Sequence, residues 1–316
     1  MTDGHTSVFL AEAVDALAVA PSDIVVDATL GGAGHFARLL SVLGADGTLI
    51  GIDADADAVE RARGALALDR RADRPVVHLL TDNFRNLSRI FDRLDLPRAN
   101  KFLFDLGWSG FQLSSGKGFS FLADEPLLMT YGDADGETAA DIVNGWSEQD
   151  LADLIFRYGE ERYSRRIAAS IVERRGKGHI VGTRELADAI SAGVPASYRT
   201  HKIHPATKTF QALRIAVNDE FGALREGLAA ALAHLAPGGR IAVITFHSAE
   251  DRIVKEAFRN ALHEGTGELL FKKPLSPTRE EVRANPRSRS AKLRVFIKSP
   301  AAPLAAGAPS YHTAYA

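Results

Sequence analysis

The sequence predicts an α/β fold: a Rossmann-like parallel sheet covered by helices on both faces. Short β-rich apolar runs alternate with helical patterns along the chain. The first run opens into a glycine loop and then a helix, in VVDATLGGAGHFA. The fourth run ends near Asp105 and the next begins at Ile241. That gap exceeds about 100 residues where a βα connection takes about 2 to 6, so it must hold a domain of its own.

Each element follows in order. The strands expected are Ile24–Thr29, Thr48–Asp53, Pro75–Leu80, Lys101–Leu106 and Arg240–His247. Between the first two, HFARLLSVLG is amphipathic and Gly44 stops it. After the second, DADAVERARGALAL reads as a helix. In the long gap, SEQDLADLIFRYGEERYSRRIAASIVERR and TRELADAISAGV are helical, and the gap ends in HPATKTFQALRIAV. NDEFGALREGLAAALAHLAPGG is the crossover helix back to the sheet, with Pro237-Gly238-Gly239 as its stop. EDRIVKEAFRNAL is a further helix, and LLFKKPL pairs with KLRVFIKS as a hairpin. Residues 300–316, Ala/Pro-rich, read as a disordered tail.

The 316 residues are 46% hydrophobic and 25% charged, as in a globular protein, and include no cysteine. Disulfides, thiolate nucleophiles and cysteine-held metals are excluded, and a reducing cytoplasmic setting is expected. The N-terminus has no basic n-region, and no apolar run approaches the roughly 20 residues of a membrane span. The net charge of −2 conceals segregation. Ser120 to Phe156 holds nine acids and no Lys or Arg, Arg157 to Arg214 twelve Lys and Arg against five acids, and Lys272 to Lys298 nine against two. Two basic segments on an acidic background suggest a polyanion bound at a defined place.

Gly32-Ala33-Gly34-His35-Phe36-Ala37 satisfies G-x-G-x-x-G/A, with Asp53 about 20 residues on, where an acid meets ribose hydroxyls. Three features argue against a dinucleotide or phosphate. Asp27 precedes the loop and would repel a pyrophosphate but favour a sulfonium and an ammonium. No Lys follows the glycines. The fourth strand ends in KFLFDLGWSGFQL, bringing Asp105 to the same carboxyl edge. S-adenosylmethionine fits this set, and Phe84, after the third strand, is a candidate for its adenine.

With these residues in place, the sequence resembles the MraW/RsmH family of S-adenosylmethionine-dependent methyltransferases, which modify the N4 of a cytidine in bacterial small-subunit (16S) ribosomal RNA. The matching stretches include HTSVFLAEAVDAL, DATLGGAGH, DNFRNL, DLGWSGFQL, YGEERYSRRIAASIV, HPATKTFQALRIAVNDE, FHSAEDRIVK and NPRSRSAKLR. The resemblance implies a class I methyltransferase sheet (1–112 and 215–299) with an inserted all-helical substrate-recognition domain after the fourth strand (113–214). It implies donor contacts at Ala33, Gly34, His35, Asp53, Phe84, Asp105 and Gln112, and a ribosomal RNA or assembled-subunit partner. No metal and no membrane are expected, and the oligomeric state stays open. Where the family commonly reads Gly-Pro-Leu-Asp-Met-Arg, this chain has Glu125-Pro126-Leu127-Leu128-Met129-Thr130-Tyr131, lacking an acid and a base.

Asp105 is the first candidate to accept from the target amine, with Ser109 or the carbonyls of Gly107-Trp108 as alternatives. Trp108 is either a base platform or packing. His247 and Arg252 are candidates for the base pocket and for RNA phosphate. The other reading is a strand-end histidine and a helix capped by Ser248 with Asp251 at its third position. Lys202, Lys208, Arg214, Arg287, Arg289 and Arg294 form the expected RNA-binding set. The rivals are a nicotinamide-dependent oxidoreductase and a non-enzymatic ribosome-assembly factor with a methyltransferase fold.

Overall fold

The computed structural model describes residues 7–107, 115–131, 136–200 and 203–300. The first half alternates helix and strand: α1 Leu10–Leu17, β1 Ile24–Asp27, α2 Gly34–Val42, β2 Thr48–Asp53, α3 Ala56–Leu68, β3 Val76–Thr81, α4 Leu87–Arg93 and β4 Ala99–Asp105. Then come α5 Ala139–Gly145, α6 Glu148–Gly159, α7 Ser164–Arg175, α8 Thr183–Ala192, α9 Ala196–Arg199 and α10 Ala206–Val217. The chain returns through α11 Glu220–His234 to β5 Leu235–Thr245, α12 Ser248–His263, β6 Gly267–Leu269, α13 Arg279–Ala284 and β7 Lys292–Lys298.

The seven strands lie in the order β3-β2-β1-β4-β5-β7-β6. Strands β1 to β5 run parallel, and β7 runs antiparallel to both β5 and β6. This is the Rossmann-like sheet that the alternation predicts, in the family to which the resemblance assigns a class I methyltransferase fold. The order reverses between β1 and β4, so the loops leaving these two strands part company and open a crevice at the carboxyl edge.

Both faces of the sheet are covered because successive strand residues point to opposite sides. Val26, Phe102, Phe104 and Val243 pack on one face with Leu228 and Phe258. Val25, Leu103, Ala242 and Ile244 pack on the other with Phe36 and Leu39. The helices between β4 and α11 have an apolar cluster of their own, including Ile142, Ile155, Ile167, Ile190 and Phe210.

The ends of several elements differ from the sequence reading. Pro237-Gly238-Gly239 does not stop the crossover helix. Helix α11 ends at His234, and the strand begins at once. Ala99 pairs with Leu235 but Lys101 pairs with Arg240, so the Pro-Gly-Gly run is a bulge, with Gly238 at φ +73°. The cap of α12 is His247 rather than Ser248, and the reciprocal acid is Glu250 rather than Asp251. A ring nitrogen accepts from the backbone as a hydroxyl would, so the cap sits one residue earlier. The strand of the last hairpin is Gly267–Leu269, with Leu275 making only an isolated bridge to Leu293. Among the described residues, no helix is long and apolar enough to cross a membrane.

Candidate active site

A cavity opens at the carboxyl edge of the sheet, over the switch point between β1 and β4. Its walls include Ala28, Thr29 and Gly31 after β1, Asp53 and Ala54 after β2, and Asn83 and Phe84 after β3. Asp105, Leu106 and Gly107 after β4 and Glu250 after β5 continue the rim. Tyr131, Asn218, Glu220 and Phe221 close it from above.

The glycine loop is held by Asp53. Its Oδ2 accepts from the Gly31 N–H at 2.9 Å, and its Oδ1 accepts from the Asp55 N–H at 2.9 Å. Burial pushes this carboxyl above its ordinary range, against the pull of those two amides. A carboxylate oxygen has a second lone pair, so each retains one acceptor site toward the cavity. Arg61, which the sequence reading passed over, braces the loop by donating to the Gly31 carbonyl at 3.0 Å. Gly31 has φ +47° and Ala33 φ +63°, a left-handed turn that aims the loop into α2.

Ala33, Gly34 and His35 lie one layer behind the cavity wall. Ala33 is buried in the apolar cluster of the α2 face. A Cβ at Gly34 would collide with the Ser7 hydroxyl, so the residue lets the N-terminal segment close over the loop. His35 is buried, and its Nδ1 lies 3.3 Å from Asp105 Oδ2. Burial disfavours a charged ring there, but the hydrogen bond and charge of Asp105, with the charge of Asp27, outweigh it and raise the imidazole pKa.

Asp27 is wholly buried; its Oδ1 accepts from the Thr29 N–H at 3.2 Å, while its Oδ2 has no hydrogen-bond partner among the described residues. Burial raises this carboxyl to about 7, the charge of His35 acting in the other direction. Asp105 is fixed through its backbone, whose N–H donates to Thr29 Oγ1 at 2.6 Å. Phe84 lines the far wall, edge-on to Phe104 with centroids 5.6 Å apart. Gln112, Trp108 and Ser109 lie outside the described residues.

The charges decide what the cavity can hold. Asp53, Asp105, Glu220 and Glu250 line it, and no Lys or Arg does among the described residues. A pyrophosphate would meet carboxylates with, among the described residues, no Lys or Arg in the wall itself to receive it. A sulfonium and an ammonium attached to a nucleoside are compatible with the same walls, which present a carboxylate at Asp53 and an aromatic ring at Phe84.

Above the cavity, Arg214 binds Glu220 through two contacts, Nε–Oε1 at 2.6 Å and Nη2–Oε2 at 2.7 Å. Arg214 is only 2% exposed. This corrects its place in the RNA-binding set, because a residue sealed in an ion pair cannot reach phosphate. Arg294 is corrected likewise: its side chain is 10% exposed and joins Lys292 on Asp251. Arg252 is spoken for by Glu160 of the α6–α7 turn at 2.9 Å, as is Ser248. Lys208 donates to the Glu160 carbonyl at 3.0 Å. Arg287 and Arg289 remain exposed, and Lys202 lies outside the described residues. His247 caps α12, its Nε2 2.9 Å from Glu250 Oε1, so its ring is committed to the helix start.

The MraW methylase family model matches residues 2–299. Among curated proteins, the chain is 48% identical over 295 residues to a ribosomal RNA small subunit methyltransferase H of Deinococcus radiodurans, covering 93% of this chain and 89% of that protein. It is 45% identical over 314 residues to the one of Geobacter sulfurreducens, covering 94% and 100%. The protein of that name from Paenibacillus sp. is 44% identical over 318 residues, covering 93% and 99%. The chain belongs to the MraW methylase family.

Proposed function

We propose that the protein transfers a methyl group from S-adenosylmethionine to the exocyclic N4 of a cytidine in small-subunit ribosomal RNA. The observation that carries this reading is the cavity at the switch point of the sheet, lined by four carboxylates and, among the described residues, by no Lys or Arg. The name carried by its relatives supplies the RNA class, and the sequence resemblance supplies the N4 position. When bound, the donor supplies an electrophilic methyl group on a cationic sulfur.

The chain's own residues then have separable tasks. Asp53 holds ribose hydroxyls with its remaining lone pairs, and Phe84 walls the adenine. By the family pattern, Gln112 and the loop backbone at Ala33, Gly34 and His35, residues that sit behind the wall, complete the donor contacts. Asp105 faces the reacting end. The lone pair of a cytosine amine is delocalised into its ring, so the amine is a weak nucleophile. A carboxylate accepting from its N–H favours the pyramidal, reactive form. The amine loses a proton on gaining the methyl group, and Asp105 takes that proton and returns it to solvent. His35, on the other oxygen of Asp105, holds the carboxylate in one orientation. Most of the remaining rate comes from alignment of donor and amine in one line.

The division of labour along the chain belongs to the same proposal. Residues 1–112 and 215–299 carry the donor and the chemistry, and 113–214 recognise the substrate. The exposed Arg287 and Arg289 bind RNA phosphate, and the reaction takes place in the cytoplasm on free RNA or on the assembled subunit. A nicotinamide dinucleotide, for which only the glycine match and Asp53 speak, would put its pyrophosphate among the carboxylates. The test is methyl transfer from labelled S-adenosylmethionine to small ribosomal subunits lacking the modification, with the product digested to nucleosides. Label in N4-methylcytidine is the expected result. Label in another nucleoside overturns the N4 assignment, and donor binding without transfer points to the assembly factor.

A further inference from the structure

Tyr131 ends the segment that departs from the family pattern, and it is held from three sides. Its backbone N–H donates to Asn218 Oδ1 at 3.0 Å, and its hydroxyl donates to Glu220 Oε1 at 2.6 Å. Its ring lies nearly parallel to that of Phe119, at 13° with centroids 5.7 Å apart. The anchors are themselves anchored. Asn218 Nδ2 donates to the carbonyls of Met129 at 2.7 Å and Arg214 at 2.9 Å. Glu220 is gripped by the buried Arg214. Where the family has an acid and a base, this segment has Leu128 and Thr130, and the ion pair beside it comes from Arg214 and Glu220 instead.

The position of this ring along the cavity follows from the sheet order. Adjacent strands lie about 4.8 Å apart, so the ends of β2 and β5 are separated by roughly 14 Å. Helix α11 packs along one face of the sheet, with Phe221 and Leu224 of its first turns at the cavity. Phe221, at its start, lies 5.9 Å from the ring of His247 beyond β5. Gly227, nearly two turns later, abuts the ring of Phe84 beyond β3. Tyr131 is bonded to Glu220, next to Phe221, and therefore stands at the β5 end. Asp53 and Phe84, the adenosine contacts of the proposed function, occupy the opposite end, which leaves the β5 end for the methyl acceptor.

We propose that Tyr131 is the wall against which the acceptor nucleobase is positioned, its anchored ring holding an unstacked base over Asp105. The inference rests on the RNA-methylation reading above. An aromatic face suits any base pulled out of its stack, and a ring with no rotamer left to lose binds it without further ordering cost. Burial, together with the charge of Glu220 and despite that of Arg214, keeps the phenol well above its ordinary pKa, so the hydroxyl remains a donor to Glu220.

The test compares wild-type protein with Tyr131→Leu and Tyr131→Phe. S-adenosylmethionine affinity is read by calorimetry, and kcat and KM are read on small ribosomal subunits lacking the modification. Tyr131→Leu is expected to lower kcat/KM for the subunit about five- to hundredfold, the range of base–aromatic stacking. The donor Kd should stay within about twofold, and Tyr131→Phe should recover most of the loss because the ring remains. If the Leu variant does not fold, Tyr131→His keeps a smaller ring and should show an intermediate loss. An unchanged kcat/KM in a folded Leu or His variant overturns the proposal. So does an equal loss of donor affinity, which would make Tyr131 part of the donor wall. Wild-type protein that binds donor but methylates nothing overturns the parent reading, and this one with it.

Discussion

The two halves of the cavity are built by different means. On the β1–β2 side, the bonds that shape the wall are close in sequence: Asp53 to Asp55 spans 2 residues and Asp53 to Gly31 spans 22. On the side facing β5, Tyr131 reaches Asn218 and Glu220 across 87 and 89 residues. The first half is a motif, and the second is an assembly. A short motif can be read from any chain that carries it, whereas an assembly appears only once its parts are folded together.

Asp105 stands where the halves meet, and changing it strikes both. Asp105→Asn keeps the shape but removes the acceptor, and should lower the single-turnover rate about 10²- to 10⁴-fold. Donor affinity, measured alongside, should fall far less. Equal losses in both would reduce Asp105 to a donor contact and break the distinction drawn here.

The assembled half should be fragile in stability. Arg214→Met leaves Glu220 without its counter-ion in a site that is nearly closed, and should cost about 3–5 kcal/mol in denaturant unfolding. Arg85→Met, in the exposed cluster with Asp219 and Glu226, should cost less than about 1 kcal/mol. Similar losses would show that the ion pair above the cavity is no special anchor.

The motif half should reveal itself in pH dependence. Burial raises the Asp27 carboxyl from its ordinary 3.8 to about 7 in the folded protein. A raised folded pKa means that the stability carried by the protonated group is full below about 4 and is lost as pH rises through 7. Asp27→Asn should remove that slope and, above pH 7, make the free protein more stable than wild type by at most about 4 kcal/mol. Unfolding curves across this window decide it, and an unchanged slope would place the titrating group elsewhere. The smallest effect belongs to Ala33, a non-glycine residue at φ +63°. Ala33→Gly should be neutral or stabilising by up to about 1 kcal/mol in thermal unfolding.

Legibility followed the same division. The strand Thr48–Asp53 was readable to the residue, and Asp27, Asp53 and Asp105 were readable as acids ending three strands. Short β-rich apolar runs and the glycine turn are properties of neighbours in sequence. The basic segments misled. Arg214 and Arg294 lie in charge-rich runs, yet they are committed to Glu220 and Asp251, and a run of charge does not say which of its members has a partner inside. Pro237-Gly238-Gly239 reads as a helix stop by composition. It became a bulge because β4 was already alongside to pair with Leu235 and Arg240.

The sequence by itself determined the alternating sheet, the glycine loop after β1 and the acids at the carboxyl edge, because backbone propensity and side-chain periodicity act over a few residues. Only the tertiary structure decided that Tyr131, Asn218 and Glu220 close the cavity, that Arg214 is sealed beneath them and that His35 backs Asp105. Those contacts join segments brought together by burial of the apolar faces, and no local pattern encodes which distant polar groups will then meet.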